Sequence, residues 1–243
     1  MSALRATARS RGKSNLAHLC ASRAYGAALW CDAADVVAAA GATVQTWPAR
    51  QGTAPTQATV AKRATMNNSL GMLKFDGVDD AYLVALGLGV TSKATLIAFS
   101  DARLSGDGIL VEHTTQAYNN NGATLAVSAG KYSATCGTNG TPTQRTGTVV
   151  MSPRAVVAAA MDRTPNPDTI TSVASYGFDD TTPSLTGTGA SLFATASGWI
   201  GARNNGAAAQ WNSRIRSVFV VLGAMTQMEM AALATAYRKV WWF

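Results

Sequence analysis

Phe75-Asp76-Gly77-Val78-Asp79-Asp80 is the stretch on which the fold of this 243-residue chain turns. Met72-Leu73 before it and Tyr82-Leu83-Val84 after it have strand character. Asp-Gly between two β-prone runs is a strong short-range hairpin signal, because Gly77 can take the positive φ of a primed turn. The expectation is a β-hairpin. Asp76 should cap the turn through the backbone, with Asp79 and Asp80 opening the return strand.

Upstream of this turn, Ala28 to Asp32 is expected as a first strand, Ala33 to Ala40 as a short helical turn stopped at Gly41, and Val44 to Trp47 as a second strand. Downstream, short β-prone runs recur between turn residues, the pattern of an all-β sandwich rather than of βαβ units. These runs are Ala94–Phe99, Gly108–His113, Ala123–Ser128, Lys131–Thr135, Arg154–Met161, Thr169–Ser175, Gly198–Ala202 and Ile215–Leu222. Asn121-Gly122, Asn139-Gly140 and Asn205-Gly206 punctuate them, since Asn and Gly tolerate left-handed backbone. The period then changes. Thr226 and Glu229 form a capping box, and Met230, Leu233, Tyr237 and Trp241 follow at helical spacing, predicting a helix over 226–241 with one apolar stripe.

The Leu29-Trp30-Cys31-Asp32-Ala33 opening, the Val44 to Trp47 run, the Phe75-Asp76-Gly77 turn, the Arg214 to Val220 strand and the Thr226 helix occur in an order that resembles laminin-G-like, concanavalin A-like β-sandwich domains. Domains of that kind occur in carbohydrate-binding modules and in bacteriophage tail, fibre and other virion proteins. The resemblance implies an antiparallel, jelly-roll sandwich over 26–243 with a short C-terminal helix. Residues 1–25 fall outside it.

Charge separates the same two parts. The net charge is +7, but Arg5, Arg9, Arg11, Lys13 and Arg23 lie in the first 25 residues without any acid, which leaves 15 basic and 13 acidic residues, a balance of +2, for the body. Residues 1–25 are therefore expected to be a basic arm that meets acidic protein surface or phosphates. Cys20, Cys31 and Cys136 are odd in number and contain no CxxC pair, so reduced thiols are expected rather than a metal knuckle or a disulfide framework. The longest apolar run, Val218 to Met225, is too short to span a bilayer, and the N-terminus lacks an apolar stretch of signal-peptide length; no membrane role is expected.

Chemistry is sparse. Glycoside hydrolysis usually requires a pair of carboxylates, yet Glu112 and Glu229 are the only glutamates. Glu229 is taken by the capping box, and Glu112 is expected as a solvent-facing strand residue. His113 is expected at a strand end, without a nucleophile elbow or a Cys136 dyad, so no catalytic residue is assigned. Following the resemblance, Asp76, Asp79 and Asp80 are a candidate calcium set. Tyr118, Asn119, Asn120 and Asn121 combine an aromatic platform with amides, as a glycan-binding loop would. Trp30, Trp47 and Trp199 are expected in the core. Trp241, Trp242 and Phe243 cannot all face one core and are candidates for contact with a neighbouring subunit.

The reading that follows is a noncatalytic virion protein, a capsid or tail decoration, fibre or attachment component. It would be assembled in the host cytoplasm in multiple copies, held to other virion proteins by its arm, and able to display a surface for host glycan. A polysaccharide-degrading enzyme on the same fold, and nucleic-acid contact through the arm, are the alternatives.

Overall fold

Lys93–Asp101 shows no alternation between buried and exposed side chains: after the half-buried Lys93, all its residues are buried. A strand reads this way when both faces of its sheet are covered, and that is the architecture of this protein. The computed structural model describes residues 26–101, 106–113, 121–128, 130–138, 141–150, 154–165, 168–174, 177–178, 192–204 and 206–241. Among them are fifteen strands and one α-helix: β1 Ala27–Asp32, β2 Ala49–Gln51, β3 Thr65–Asn67, β4 Met72–Lys74, β5 Tyr82–Ala85, β6 Lys93–Asp101, β7 Gly108–His113, β8 Gly122–Ser128, β9 Lys131–Thr138, β10 Thr141–Val150, β11 Arg154–Asp162, β12 Thr169–Ala174, β13 Gly177–Phe178, β14 Ser197–Ile200, β15 Arg214–Val221 and α1 Gln227–Trp241.

The strands form two antiparallel sheets. The first runs β13-β12-β11-β6-β15-β1-β2, with the β3–β4 hairpin attached through β4 to β15; the second runs β10-β9-β8-β7-β14-β5. Between them lies the main core. Leu29 and Cys31 of β1, Leu96 and Ala98 of β6, and Val218 and Val220 of β15 meet Val84, Val111, Leu125, Tyr132 and Ile200 of the second sheet. Trp47, Phe75 and Tyr82 close one region of this core, with ring centroids 6.1 Å apart for Trp47–Tyr82 and 5.9 Å for Phe75–Tyr82.

A second cluster covers the outer face of the first sheet. Trp30, Ile97, Phe99, Val156, Ala158, Ala160 and Phe219 point outward there and pack under Met230, Leu233 and Ala234 of α1. Trp30 stacks on Phe219 at 5.2 Å. Small side chains at 158 and 160 leave room for a helix against the sheet, which accounts for the alanine-rich β11. The capping box forms as expected: the Thr226 N–H donates to Glu229 Oε2 at 2.8 Å and the Glu229 N–H to Thr226 Oγ1 at 3.3 Å. Thr95 Oγ1 donates to the Gly223 carbonyl at 2.6 Å and accepts from the Met225 N–H at 2.9 Å, so β6 fixes the connection that delivers the helix. Among the described residues no helix is long and apolar enough to cross a membrane.

The decisive turn does not close a hairpin. β4 belongs to the first sheet and pairs with β3 and β15, whereas β5 belongs to the second and pairs with β14. Residues 75–81 are a corner that carries the chain from one sheet to the other. The backbone on either side bonds elsewhere, the Phe75 N–H to the Ser213 carbonyl and the Ala81 N–H to the Lys62 carbonyl. Gly77 does have φ 81°, and a Cβ there would lie 2.3 Å from that of Asn212.

Other expectations shift similarly. Val44–Trp47 is not a regular strand: it pairs through an isolated bridge from Thr46 to Thr56 and single backbone bonds such as the Val44 N–H to the Ala64 carbonyl, and the helical turn shrinks to three residues, Ala33–Asp35. Two strands of the first sheet, β2 and β3, and the edge strand β10 carry too little alternation to be found from the chain alone.

Candidate functional site

The outer face of the second sheet differs from that of the first. Register places Leu83 of β5 opposite Trp199 of β14, Trp199 opposite Glu112 of β7, and Glu112 opposite Thr124 of β8, which in turn faces Thr135 of β9. Their neighbours Val84, Ile200 and Val111 point into the core, so by strand alternation this row faces outward. Leu83 is 41% exposed and Trp199 is half-buried. Trp199, expected in the core, is therefore on a sheet face.

Glu112, expected to face solvent, is fully buried. Its Oε1 lies 2.8 Å from Nε of Arg203, just beyond β14, and its Oε2 has no hydrogen-bond partner among the described residues. Loss of solvation pushes its carboxyl above the usual range, and the Arg203 charge pulls the other way. Arg203 begins a tight loop. Its N–H donates to the Ala208 carbonyl at 2.9 Å, Asn204 has φ 46°, and Gly206 has φ 83°. A Cβ on Gly206 would sit 2.2 Å from the Asp79 carbonyl oxygen, so the loop tip rests on the acidic corner. The next turn of chain holds on to β7, the Ile109 N–H donating to the Ala209 carbonyl at 2.9 Å.

The corner itself gathers carboxylates. Asp76 Oδ1 accepts from the Val78 N–H at 2.8 Å, which is the expected cap, while Asp80 Oδ2 reaches back to the Asp76 N–H at 2.9 Å. One oxygen from each of Asp76, Asp79 and Asp80 falls within 4.8 Å of the others. Burial, with Asp76 and Asp79 adding to it, pushes the Asp80 carboxyl up to about 6. Three hard oxygens at this spacing could supply part of a calcium shell, which needs six to eight.

The loop assigned to glycan is only partly described. Tyr118, Asn119 and Asn120 lie outside the described residues. Asn121 is described, and its side chain is engaged within the fold: Oδ1 accepts from Arg163 Nη2 at 3.1 Å, and its carbonyl from the Ala194 N–H at 2.8 Å. Arg163 is fully buried, and also reaches the Leu192 carbonyl at 3.0 Å and Asp168 Oδ2 at 3.3 Å. Asn121 thus ties segments together through its side-chain oxygen and its carbonyl. Arg5, Arg9, Arg11, Lys13, Arg23, Trp242 and Phe243 also lie outside the described residues; Trp241 closes α1.

Cys31 and Cys136 are buried free thiols, and desolvation pushes Cys136 up to about 12 and Cys31 higher still. His113 ends β7 as expected and is buried there, with Nε2 2.7 Å from the Ala194 carbonyl. Ala123 lies between His113 and Cys136 in register, which separates those strands by two spacings, about 9.6 Å.

No protein-family model and no curated protein matches the sequence. Solved structures do. Trypanosoma rangeli sialidase in complex with the inhibitor DANA superposes with a TM-score of 0.62 at 14% identity, over 96% of this chain and 38% of the sialidase. The receptor binding domain of botulinum neurotoxin type G superposes with a TM-score of 0.52 at 8% identity, over 80% of this chain and 51% of that one. The CBM40 of Ruminococcus gnavus IT-sialidase, bound to α2,3 sialyllactose, overlaps 59% of this chain and 83% of the module at 13% identity and a TM-score of 0.43, too loosely to add weight. The chain spans less than two-fifths of the sialidase it matches. At such identities the likeness establishes a fold: a lectin-like antiparallel β-sandwich.

Proposed function

We propose that this chain is a noncatalytic structural or attachment module of a bacteriophage virion, which displays its lectin-like sandwich on the particle and presents a surface to host glycan. One observation supports the noncatalytic half above the rest. The two glutamates of the chain lie on opposite sides of the sandwich, Glu229 on the helix that covers the first sheet and Glu112 under the outer face of the second. At least one sheet-to-sheet spacing of about 10 Å separates them, so they do not form with each other a hydrolytic pair, which needs roughly 5 to 9.5 Å. Glu112 is moreover paired to Arg203.

The virion half draws on the resemblance of the Trp30, Phe75-Asp76-Gly77 and Thr226 landmarks to phage tail and fibre domains, and on the concentration of charge in residues 1–25. Five basic residues without an acid form a natural tether to acidic neighbours in a multi-copy assembly. Deletion of residues 1–24 should abolish incorporation into particles while leaving the melting temperature of the body unchanged. Normal incorporation of the truncated chain would refute the tether. Release of reducing sugar from capsular or cell-wall polysaccharide, lost in Glu112→Gln, would refute the noncatalytic assignment.

A further inference from the structure

We propose that the outer face of the second sheet around Trp199 is a subsite for a neutral saccharide, with the Leu83–Trp199 pad taking the apolar face of a pyranose ring and the Glu112–Arg203 pair taking its hydroxyls. This rests on the glycan-display half of the function proposed above and supplies its location and ligand class.

Two independent features point to a ligand. The first is apolar. Leu83 and Trp199 are directly opposed across β5 and β14, one 41% exposed and the other half-buried, on the face where the interior offers them no packing. A half-buried indole beside an exposed aliphatic side chain is a flat surface that suits the C–H face of a sugar ring. The second is polar. Glu112 stands opposite Trp199 on the next strand, fully buried, with Oε1 on Arg203 and Oε2 without a donor among the described residues. A buried acceptor without a donor is costly, and a hydroxyl arriving at the edge of the indole would supply one. Glu112 also orients Arg203, whose side chain is 14% exposed at the margin of the pad.

Charge selects the ligand class. The Arg203 cation is already matched by Glu112, and the loop it begins rests on Asp79, whose carboxylate lies within 4.8 Å of those of Asp76 and Asp80. The field beside the pad is thus neutral to negative. Sialylated, uronic or sulfated sugars would meet repulsion there, whereas neutral hexose chains would not.

The test uses the full chain labelled with 5-fluorotryptophan, titrated with cellohexaose, maltohexaose and laminarihexaose as neutral probes and with 3′-sialyllactose and a heparin hexasaccharide as anionic ones. At least one neutral probe should shift the Trp199 fluorine resonance. Trp199→Ala should weaken that binding by about tenfold or more, Trp199→Tyr should retain most of it, and Leu83→Ala, which removes an exposed side chain outside the core, should weaken it about threefold if the alanine at 199 prevents folding. Neutral binding indifferent to both Trp199→Ala and Leu83→Ala would overturn the location and leave the display function standing. Binding of only the anionic probes would overturn the ligand class. Silence toward all five overturns the subsite, while the incorporation experiment on residues 1–24 independently decides the virion role.

Discussion

The two outer faces of this sandwich began from similar strands and ended with different fates. On the first sheet, Ile97, Phe99 and Phe219 are flanked by Trp30 and roofed by α1, so a sheet face becomes a second core. On the second, Leu83, Trp199, Glu112, Thr124 and Thr135 form a mixed row that runs from an exposed leucine and a half-buried indole to buried polar side chains, with an ion pair at Glu112. A covered face is held by packing and leaves little for recognition. The mixed face keeps polar groups whose partners must be found locally, and such groups are where ligands are chosen.

The sharpest way to break this contrast is Phe219→Ala. It removes the ring that touches both Trp30 and Phe99, and a loss of about 3–5 kcal/mol is expected in denaturant unfolding. A change under about 1 kcal/mol would mean that the helix roof contributes little to stability.

Arg203→Met probes the other face. It leaves Glu112 buried beside no guanidinium, with an expected cost of about 3 kcal/mol at pH 7.5. The sign with pH is fixed by the carboxyl, which is already raised by burial and would rise further without Arg203. A carboxyl raised in the folded state favours folding at low pH and disfavours it as pH rises through the folded value. The defect should therefore shrink on acidification; a defect that grows in acid would show that Arg203 acts through packing alone.

At the acidic corner, Asp80→Asn should stabilise by up to about 2 kcal/mol at pH 7.5. The amide can still accept from the Asp76 N–H without adding a third negative charge. Since the Asp80 carboxyl sits at about 6 against an ordinary 3.8, the advantage of the variant should fade between those values as pH falls and vanish below them. Added calcium tests the metal reading on the same protein. It should raise the melting temperature of the natural chain and not that of Asp80→Asn, and equal responses would argue against these ligands.

The smallest effect is expected for Leu83→Ala, within about 0.5 kcal/mol, because its side chain is already 41% exposed. A larger loss would place Leu83 in the packing of the sandwich rather than on a recognition surface.

Much of the fold was legible because its signals are local. The Thr226–Glu229 box and the Met230–Leu233 spacing name a helix from residues three or four apart, and the structure has it. The Asp76-Gly77 conformation was legible for the same reason; the pairing of its flanking strands was not. Gly77 adopts its left-handed angle in a corner as readily as in a hairpin, and nothing within residues 72–84 states that β4 will find β15 while β5 finds β14. Similarly, Thr141–Val150 lacks the alternation of a half-buried strand, yet forms the edge of the second sheet.

The candidate site was less legible still. Glu112 alone in a strand gives no sign of Arg203, 91 residues away, and Trp199 looks like any core tryptophan until register shows Ile200 pointing inward. A polar loop such as that ending at Asn121 suggested recognition by its composition, and gave no sign that the Asn121 side-chain oxygen accepts from the buried Arg163, 42 residues away.

By itself, then, the sequence determined what residues a few positions apart can settle, namely the left-handed turn at Gly77, the capped helix and the run of short strands, together with a count of only two glutamates. Only the tertiary structure decided which sheet each strand joined and which face was roofed. It alone paired Glu112 with Arg203 and set the half-buried Trp199 beside the exposed Leu83. Dihedral preference and capping act over one turn of chain, whereas burial and ion pairing depend on which distant segments arrive on either side of a sheet.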